Sequence, residues 1–248
     1  LAADRSLPGI DWNVEGQLAL LDSLTFAEEL VGISGAPGGR DFRFGNLSFE
    51  AGDAEVWYQM IRRTKPGRIV EIGGGHSTLL ALRAIRQNRE DDPEYECAHV
   101  CIEPYEVPWL EAAGVSVVRR RAGDAGPALF AELGRGDILF IDSSHVVRPQ
   151  GDVLFEYLEV LPGLAPGVIV HVHDVFSPRD YPESWLVDMV RLWNEQYLLE
   201  AFLTHNREWT VLAALNFLQH HHHERLKRVA PYLTPDHEPG SFYLERRG

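Results

Sequence analysis

Arg68-Ile69-Val70-Glu71-Ile72-Gly73-Gly74-Gly75-His76-Ser77-Thr78 is the stretch that decides the fold. Ile69, Val70 and Ile72 make a short apolar run of strand type, and three glycines end it in a tight turn. Upstream, Val56, Trp57, Met60 and Ile61 recur at helical spacing from Asp53, and Lys65-Pro66-Gly67 stops that helix. The order is therefore helix, buried strand, glycine turn, helix. Glycines let a backbone approach a ligand closely, and the start of the next helix offers free N–H groups.

Four more strand signals follow, at 99–103, 115–120, 137–142 and 168–173, each separated by enough chain for a helix. Strands alternating with helices predict an α/β architecture, a Rossmann-like doubly wound sheet with helices on both faces. A long helix is expected over 183–202. Two last β-like runs, 209–216 and 241–245, are expected to add an antiparallel C-terminal edge pair to the mostly parallel sheet. Residues 1–50 carry glycine and proline clusters at Pro8-Gly9 and 35–39, with an apolar helix-like stretch at 17–31 between them. They are expected to form a cap, a lid or an oligomer contact on the domain at 51–248.

Composition narrows the partners. With 37 acidic against 23 basic residues, the net charge of −14 repels a phosphate backbone or an anionic membrane, so neither nucleic acid nor membrane is the expected partner. No apolar run approaches the roughly 18 residues of a membrane span, and the first residues lack the layout of a signal peptide. A cytoplasmic protein is the expectation. Cys97 and Cys101, spaced Cys-x-x-x-Cys, lack both the second pair of a zinc knuckle and the spacing of a redox motif, so they read as buried thiols.

In an open α/β sheet, ligands sit beyond the carboxyl ends of the strands, so Gly73, Gly74 and Gly75 mark the cofactor loop. The dinucleotide fingerprint needs a small residue at 78, where Thr78 stands. That disfavours a nicotinamide-dependent oxidoreductase. An acid followed by Gly-x-Gly resembles the first motif of class I S-adenosylmethionine-dependent methyltransferases, with Ser77 where that family often has a third glycine. The resemblance covers roughly 53–245 and implies S-adenosylmethionine as cofactor, bound through Glu71, Gly73, Gly74, Gly75, Ser77, Glu103, Asp124 and Asp142. Glu103 ends the second strand, where a carboxylate can accept both ribose hydroxyls. Asp124 follows the third, where the family commonly holds the adenine amino group.

The fourth strand ends in Asp142-Ser143-Ser144-His145 and the fifth in His171-Val172-His173-Asp174. This pair resembles the bacterial methyltransferases of sugar and natural-product hydroxyls that carry an Asp-x-x-His loop. The resemblance implies His145 as general base, with Asp142 beside it, and a divalent metal held by Asp142, His173 and Asp174. A histidine in that set suits Mn, Fe or Zn better than Mg. An unperturbed imidazole pKa near 6.5 suits removal of a hydroxyl proton. The expected acceptor is a sugar-like or other polar small molecule, read by Arg148 and Arg179. A catalytically silent nucleotide-binding subunit is the remaining alternative. His171 is expected to be a core histidine, the run at 220–223 a solvated surface, Arg119-Arg120-Arg121 an exposed edge, and Trp185, Trp193 and Tyr197 core packing.

Overall fold

The computed structural model describes residues 1–33 and 41–248, so the glycine-rich cluster at 35–39 lies outside the described residues. Seven strands, β1 (Arg68–Ile72), β2 (Ala98–Ile102), β3 (Ser116–Val118), β4 (Ile138–Ile141), β5 (Ile169–Val172), β6 (Trp209–Ala214) and β7 (Phe242–Arg246), form one sheet. Their order is β3-β2-β1-β4-β5-β7-β6. The first five pair in parallel, while β7 runs antiparallel to both β5 and β6. The mostly parallel sheet with an antiparallel C-terminal pair is the architecture that the strand spacing implies. The order reverses between β1 and β4, which is the switch point where an open sheet leaves a crevice.

Period-two alternation distributes the strand residues between two cores. Ile69, Ile138, Phe140, Ile169 and Tyr243 face α2 (Asp53–Thr64) and α3 (His76–Asp91). Val70, Ile72, Leu139, Ile141, Val170 and Val172 face the opposite way. That second core is covered by α4 (Ala122–Ala125), by α5 (Asp152–Phe155) with its π-helical continuation (Glu156–Val160) and α6 (Leu161–Gly163), and by α7 (Glu195–Leu203). Two short helices, α8 (Leu215–His221) and α9 (His223–Val229), return to the first face.

The N-terminal stretch is less continuous than its apolar pattern suggests. It folds as α1 (Val14–Ser23) and a single 3-10 turn (Ala27–Leu30). Leu20, Leu21, Leu24 and Leu30 join the same core as Trp57 and Met60. Polar contacts fasten it too: Gln17 Oε1 accepts the Ala214 N–H at 2.8 Å, and Glu29 pairs with the buried Arg62 at 2.8 Å.

The helix expected over 183–202 is broken. A π-helical turn (Ser184–Asp188) is followed by non-helical chain until α7 starts at Glu195. Val190 sits there at φ +53, a left-handed conformation that a β-branched residue rarely takes. Tertiary contacts of the residues that follow override the helical pattern, as the site makes plain. No helix of the described residues is long and apolar enough to cross a membrane.

Candidate active site at the carboxyl ends of β1, β2, β4 and β5

In-register pairing sets Cys101 beside Glu71, and alternation puts His99 on the same face two residues earlier. The Glu71 carboxylate is fully buried. It accepts from Ser77 Oγ at 2.5 Å, Thr78 Oγ1 at 2.8 Å and Cys101 Sγ at 3.3 Å, with His99 Nε2 at 2.9 Å. Thr78 Oγ1 in turn accepts the Gly75 N–H at 3.0 Å. Glu71 and Ser77 therefore spend their side-chain polar atoms on buried partners behind the glycine loop. Burial and the neighbouring Glu71 push the Cys101 thiol well up, so it stays neutral.

The loop itself has little freedom. Gly73 takes φ +87, and a Cβ there would come within 2.3 Å of the Asp142 carbonyl oxygen. Only glycine fits. Around Gly75 a Cβ would meet nothing within 4 Å, so the loop presents bare backbone to open space. Glu103 accepts the Gly74 N–H at 3.2 Å and the Tyr105 N–H at 2.8 Å. Arg119 braces this corner by donating to the Glu103 carbonyl at 3.0 Å, a structural task for a residue expected at an exposed edge. Asp124 lies in α4, exposed.

Beyond the switch point a second polar cluster assembles. Asp142 and His173 occupy the next register positions after the paired Ile141 and Val172. His145 Nε2 lies 3.1 Å from Asp142 Oδ1 and 3.6 Å from Asp174 Oδ2. His173 Nδ1 lies 3.6 Å from both Asp142 and Asp174, too far for a hydrogen bond, and this buried nitrogen has no partner. Its Nε2 faces Asp53 at 3.6 Å. His145 and Asp174 hold φ of +58 and +60, sparsely populated conformations that concentrate at functional sites.

The charged groups of this cluster act on one another. Burial works to raise the Asp142 pKa, but His145 and His173 hold it below the usual carboxylate range. Burial lifts Asp174 above that range, with Asp142 adding to the rise. For His173, burial alone would favour the neutral ring, yet the nearby aspartates push its pKa well up. His145 behaves alike: burial lowers its pKa, but hydrogen bonds to Asp142 and Glu195 overcome this and raise it to about 10. The unperturbed value expected from sequence does not apply, because the ring is flanked by carboxylates at both nitrogens.

Residues 70–175, which run from β1 through both clusters, match a family model described as a methyltransferase domain. The matched residues, a little under half of the chain, are thus similar to a methyltransferase domain. No curated protein matches the chain. Among solved structures, the chain is similar to the O-methyltransferase from Bacillus cereus in complex with SAH, at 13% identity and a TM-score of 0.47, covering 94% of this chain and 90% of that one. It is also similar to the plantazolicin methyltransferase BpumL in complex with SAH, at 13% identity and a TM-score of 0.41, covering 95% of this chain and 99% of that one.

The remaining candidates fall in different places. Arg148 is exposed and only loosely paired, 3.9 Å from Asp152. Arg179 borders a cleft of about 210 Å³ with Phe176, Tyr181 and Glu238. Its guanidinium is already engaged by Asp4 at 3.1 Å and by His220 at 2.9 Å. The histidine run is no free surface either, since His220 meets Glu238 at 2.8 Å and His221 meets Asp4 at 2.6 Å. His171 is a core histidine, bonded to Ser241 Oγ at 2.7 Å and stacked 4.1 Å from Tyr243, and burial lowers its pKa far enough to keep it neutral.

Trp185 and Trp193 do not enter either core. Trp193 packs against the His145 ring at 4.3 Å, and Arg191 lies over both indoles at 4.5 and 4.6 Å. Sequence reasoning missed Trp193, Glu195 and Asp53 as members of the candidate site. Each reaches it from a distant element, and a tryptophan or an acid near a helix start carries no signal of its own.

Proposed function

We propose that the protein transfers the methyl group of S-adenosylmethionine to a hydroxyl of a sugar-like or other polar small molecule. The observation that carries this reading is the contact between loop and cluster. Gly73 lies against the Asp142 carbonyl, so a sulfonium held over the glycine loop would stand next to Asp142, His145 and Asp174. Glu103, at the end of β2, would take the ribose hydroxyls, and Asp124, after β3, the adenine amino group.

Because a sulfonium is an activated donor, the reaction is an in-line displacement. The acceptor oxygen bonds to the methyl carbon as the carbon–sulfur bond breaks, and the hydroxyl proton goes to the enzyme. His145 Nε2 is the proposed receiver. In the bare protein its neighbours hold that nitrogen protonated at neutral pH, so the base form is reached once the charge on Asp142 and Asp174 is engaged or the pH approaches 10.

The donor set fits a divalent cation. Asp142, Asp174 and His145 place ligand atoms within 4.8 Å of one another, and the unpartnered His173 Nδ1 points at two of those carboxylates. Asp53 lies 3.6 Å from His173 Nε2, at the ring nitrogen opposite the one that faces Asp142 and Asp174. Asp142, His173 and Asp174 would hold the ion, which would favour the acceptor alkoxide and relieve the carboxylates' hold on the His145 proton.

The test is calorimetric titration of S-adenosylhomocysteine into metal-stripped protein, repeated with Mn²⁺, with NAD as control. Micromolar binding of the homocysteine without NAD binding supports the cofactor role. Methyl transfer from labelled S-adenosylmethionine to a panel of glycosides then tests the acceptor class. Failure of S-adenosylhomocysteine to bind, or binding of NAD instead, would overturn the reading.

A further inference from the structure

His145 is gripped by three consecutive residues from a segment 50 positions away. Trp193 covers one face of its ring at 4.3 Å. The Asn194 and Glu195 N–H groups both donate to the His145 carbonyl, at 3.0 and 3.2 Å. The Glu195 carboxylate lies 2.8 Å from His145 Nδ1. Asn194 Oδ1 closes the clamp by accepting the Val147 N–H at 2.6 Å.

Glu195 is itself only 1% exposed, so its carboxylate needs partners. It has two: His145 on Oε2, and on Oε1 the Tyr157 hydroxyl, which donates at 3.1 Å from the buried π-helical stretch. We infer that Glu195 is a positioning residue for methyl transfer: by accepting the Nδ1–H of His145 it fixes the ring so that Nε2 alone faces Asp142 and Asp174. The logic is that of any carboxylate behind a catalytic imidazole, which selects the ring orientation and tautomer without touching substrate. The assignment also accounts for the broken helix. A continuous helix over 189–194 would carry Trp193 and Asn194 away from the loop they clamp, and the strained Val190 is where the chain turns back.

This inference rests on His145 being the proton acceptor, and its test is built to separate the two claims. Protein labelled with ¹⁵N in the imidazole rings, saturated with S-adenosylhomocysteine, is compared as wild type, Glu195→Ala, Glu195→Gln and His145→Ala. In the wild type a His145 Nδ1 proton protected from exchange is expected. Glu195→Ala should lose it while S-adenosylhomocysteine affinity stays within about threefold. Glu195→Gln, whose amide oxygen still accepts, should retain it.

In the glycoside assay, kcat should fall about 100-fold for Glu195→Ala with KM for S-adenosylmethionine unchanged, and less for Glu195→Gln. A protected Nδ1 proton that survives in Glu195→Ala overturns the positioning role, as does an equal loss of kcat in the alanine and glutamine variants. Full activity of His145→Ala overturns the base assignment, and with it the catalytic meaning of the grip. Should Glu195→Ala fail to fold, the glutamine variant decides alone: loss of its Nδ1 proton with fold and cofactor affinity intact overturns the inference.

Discussion

Two histidine–carboxylate clusters lie on one sheet, one inside β1 and β2 and the other just past the ends of β4 and β5, and they have opposite characters. Glu71, His99 and Cys101 are closed. The carboxylate oxygens are saturated by donors at 2.5 to 3.3 Å, and Glu71 is wholly buried. Asp142, His145, His173 and Asp174 are open. Three contacts between His173 and the facing aspartates stretch to 3.6 Å, and the Asp142 side chain is 36% exposed. A carboxylate whose oxygens are all engaged holds shape, whereas carboxylates with stretched contacts have bonding capacity left for a ligand.

The sharpest way to break this comparison is to remove one carboxylate from each side. Asp142→Ala should cut methyl transfer about 1000-fold, a barrier change of about 4 kcal/mol, while the melting temperature moves little. Glu71→Gln should do the reverse in kind. Converting half of a buried acceptor into a donor leaves unmatched partners worth about 3 kcal/mol, so Tm should drop by on the order of 10 °C in calorimetry. Equal losses of stability in both variants would erase the distinction.

Metal sharpens the contrast further. Mn²⁺ at about 100 times its Kd should stabilise the protein by about 2.7 kcal/mol, read as a raised Tm. Asp174→Asn should abolish the shift and Cys101→Ala should leave it intact. A shift that instead follows Cys101 would assign the ion to the closed cluster.

The smallest effect is that of pH. His145 is raised from 6.5 to about 10, so its folded state binds the proton more tightly than the unfolded chain does. Its stabilisation is complete below pH 6.5 and is lost as pH rises through 10, at up to about 1.4 kcal/mol per pH unit. Urea unfolding of chelator-treated protein at pH 7 and 8 should show a steeper decline in the wild type than in His145→Gln. Identical slopes would mean that the carboxylates do not hold the proton.

Much of this was legible in the sequence, for identifiable reasons. Short apolar runs punctuated by glycine and acid fixed the strands, and the residues just past β4 and β5 named Asp142, His145, His173 and Asp174, because consecutive strand ends meet at one edge. The closed cluster was equally open to reading: His99 and Cys101 are alternate residues of a buried strand and share a face with Glu71. Glu195 was not, since only the break before α7 brings it to His145, and that break follows from tertiary contacts against the local helical preference. Arg179 suggested an acceptor contact by its place after β5, but its partner Asp4 comes from 175 residues away.

One consequence lies in the position of β7. β7, made after the other six described strands, is not at the margin of the sheet but between β5 and β6. During synthesis the five parallel strands can assemble as they emerge, yet the flank of β5 that leads to His173 stays unzipped until 242–246 leaves the ribosome. Until then β6 has no neighbour, and Asp53 lacks the Gly240 and Ser241 N–H groups it holds at 3.1 and 2.7 Å. The nascent chain thus carries a nearly complete glycine loop beside an unfinished Asp142–His173 cluster, and β7 acts as the latch that completes it.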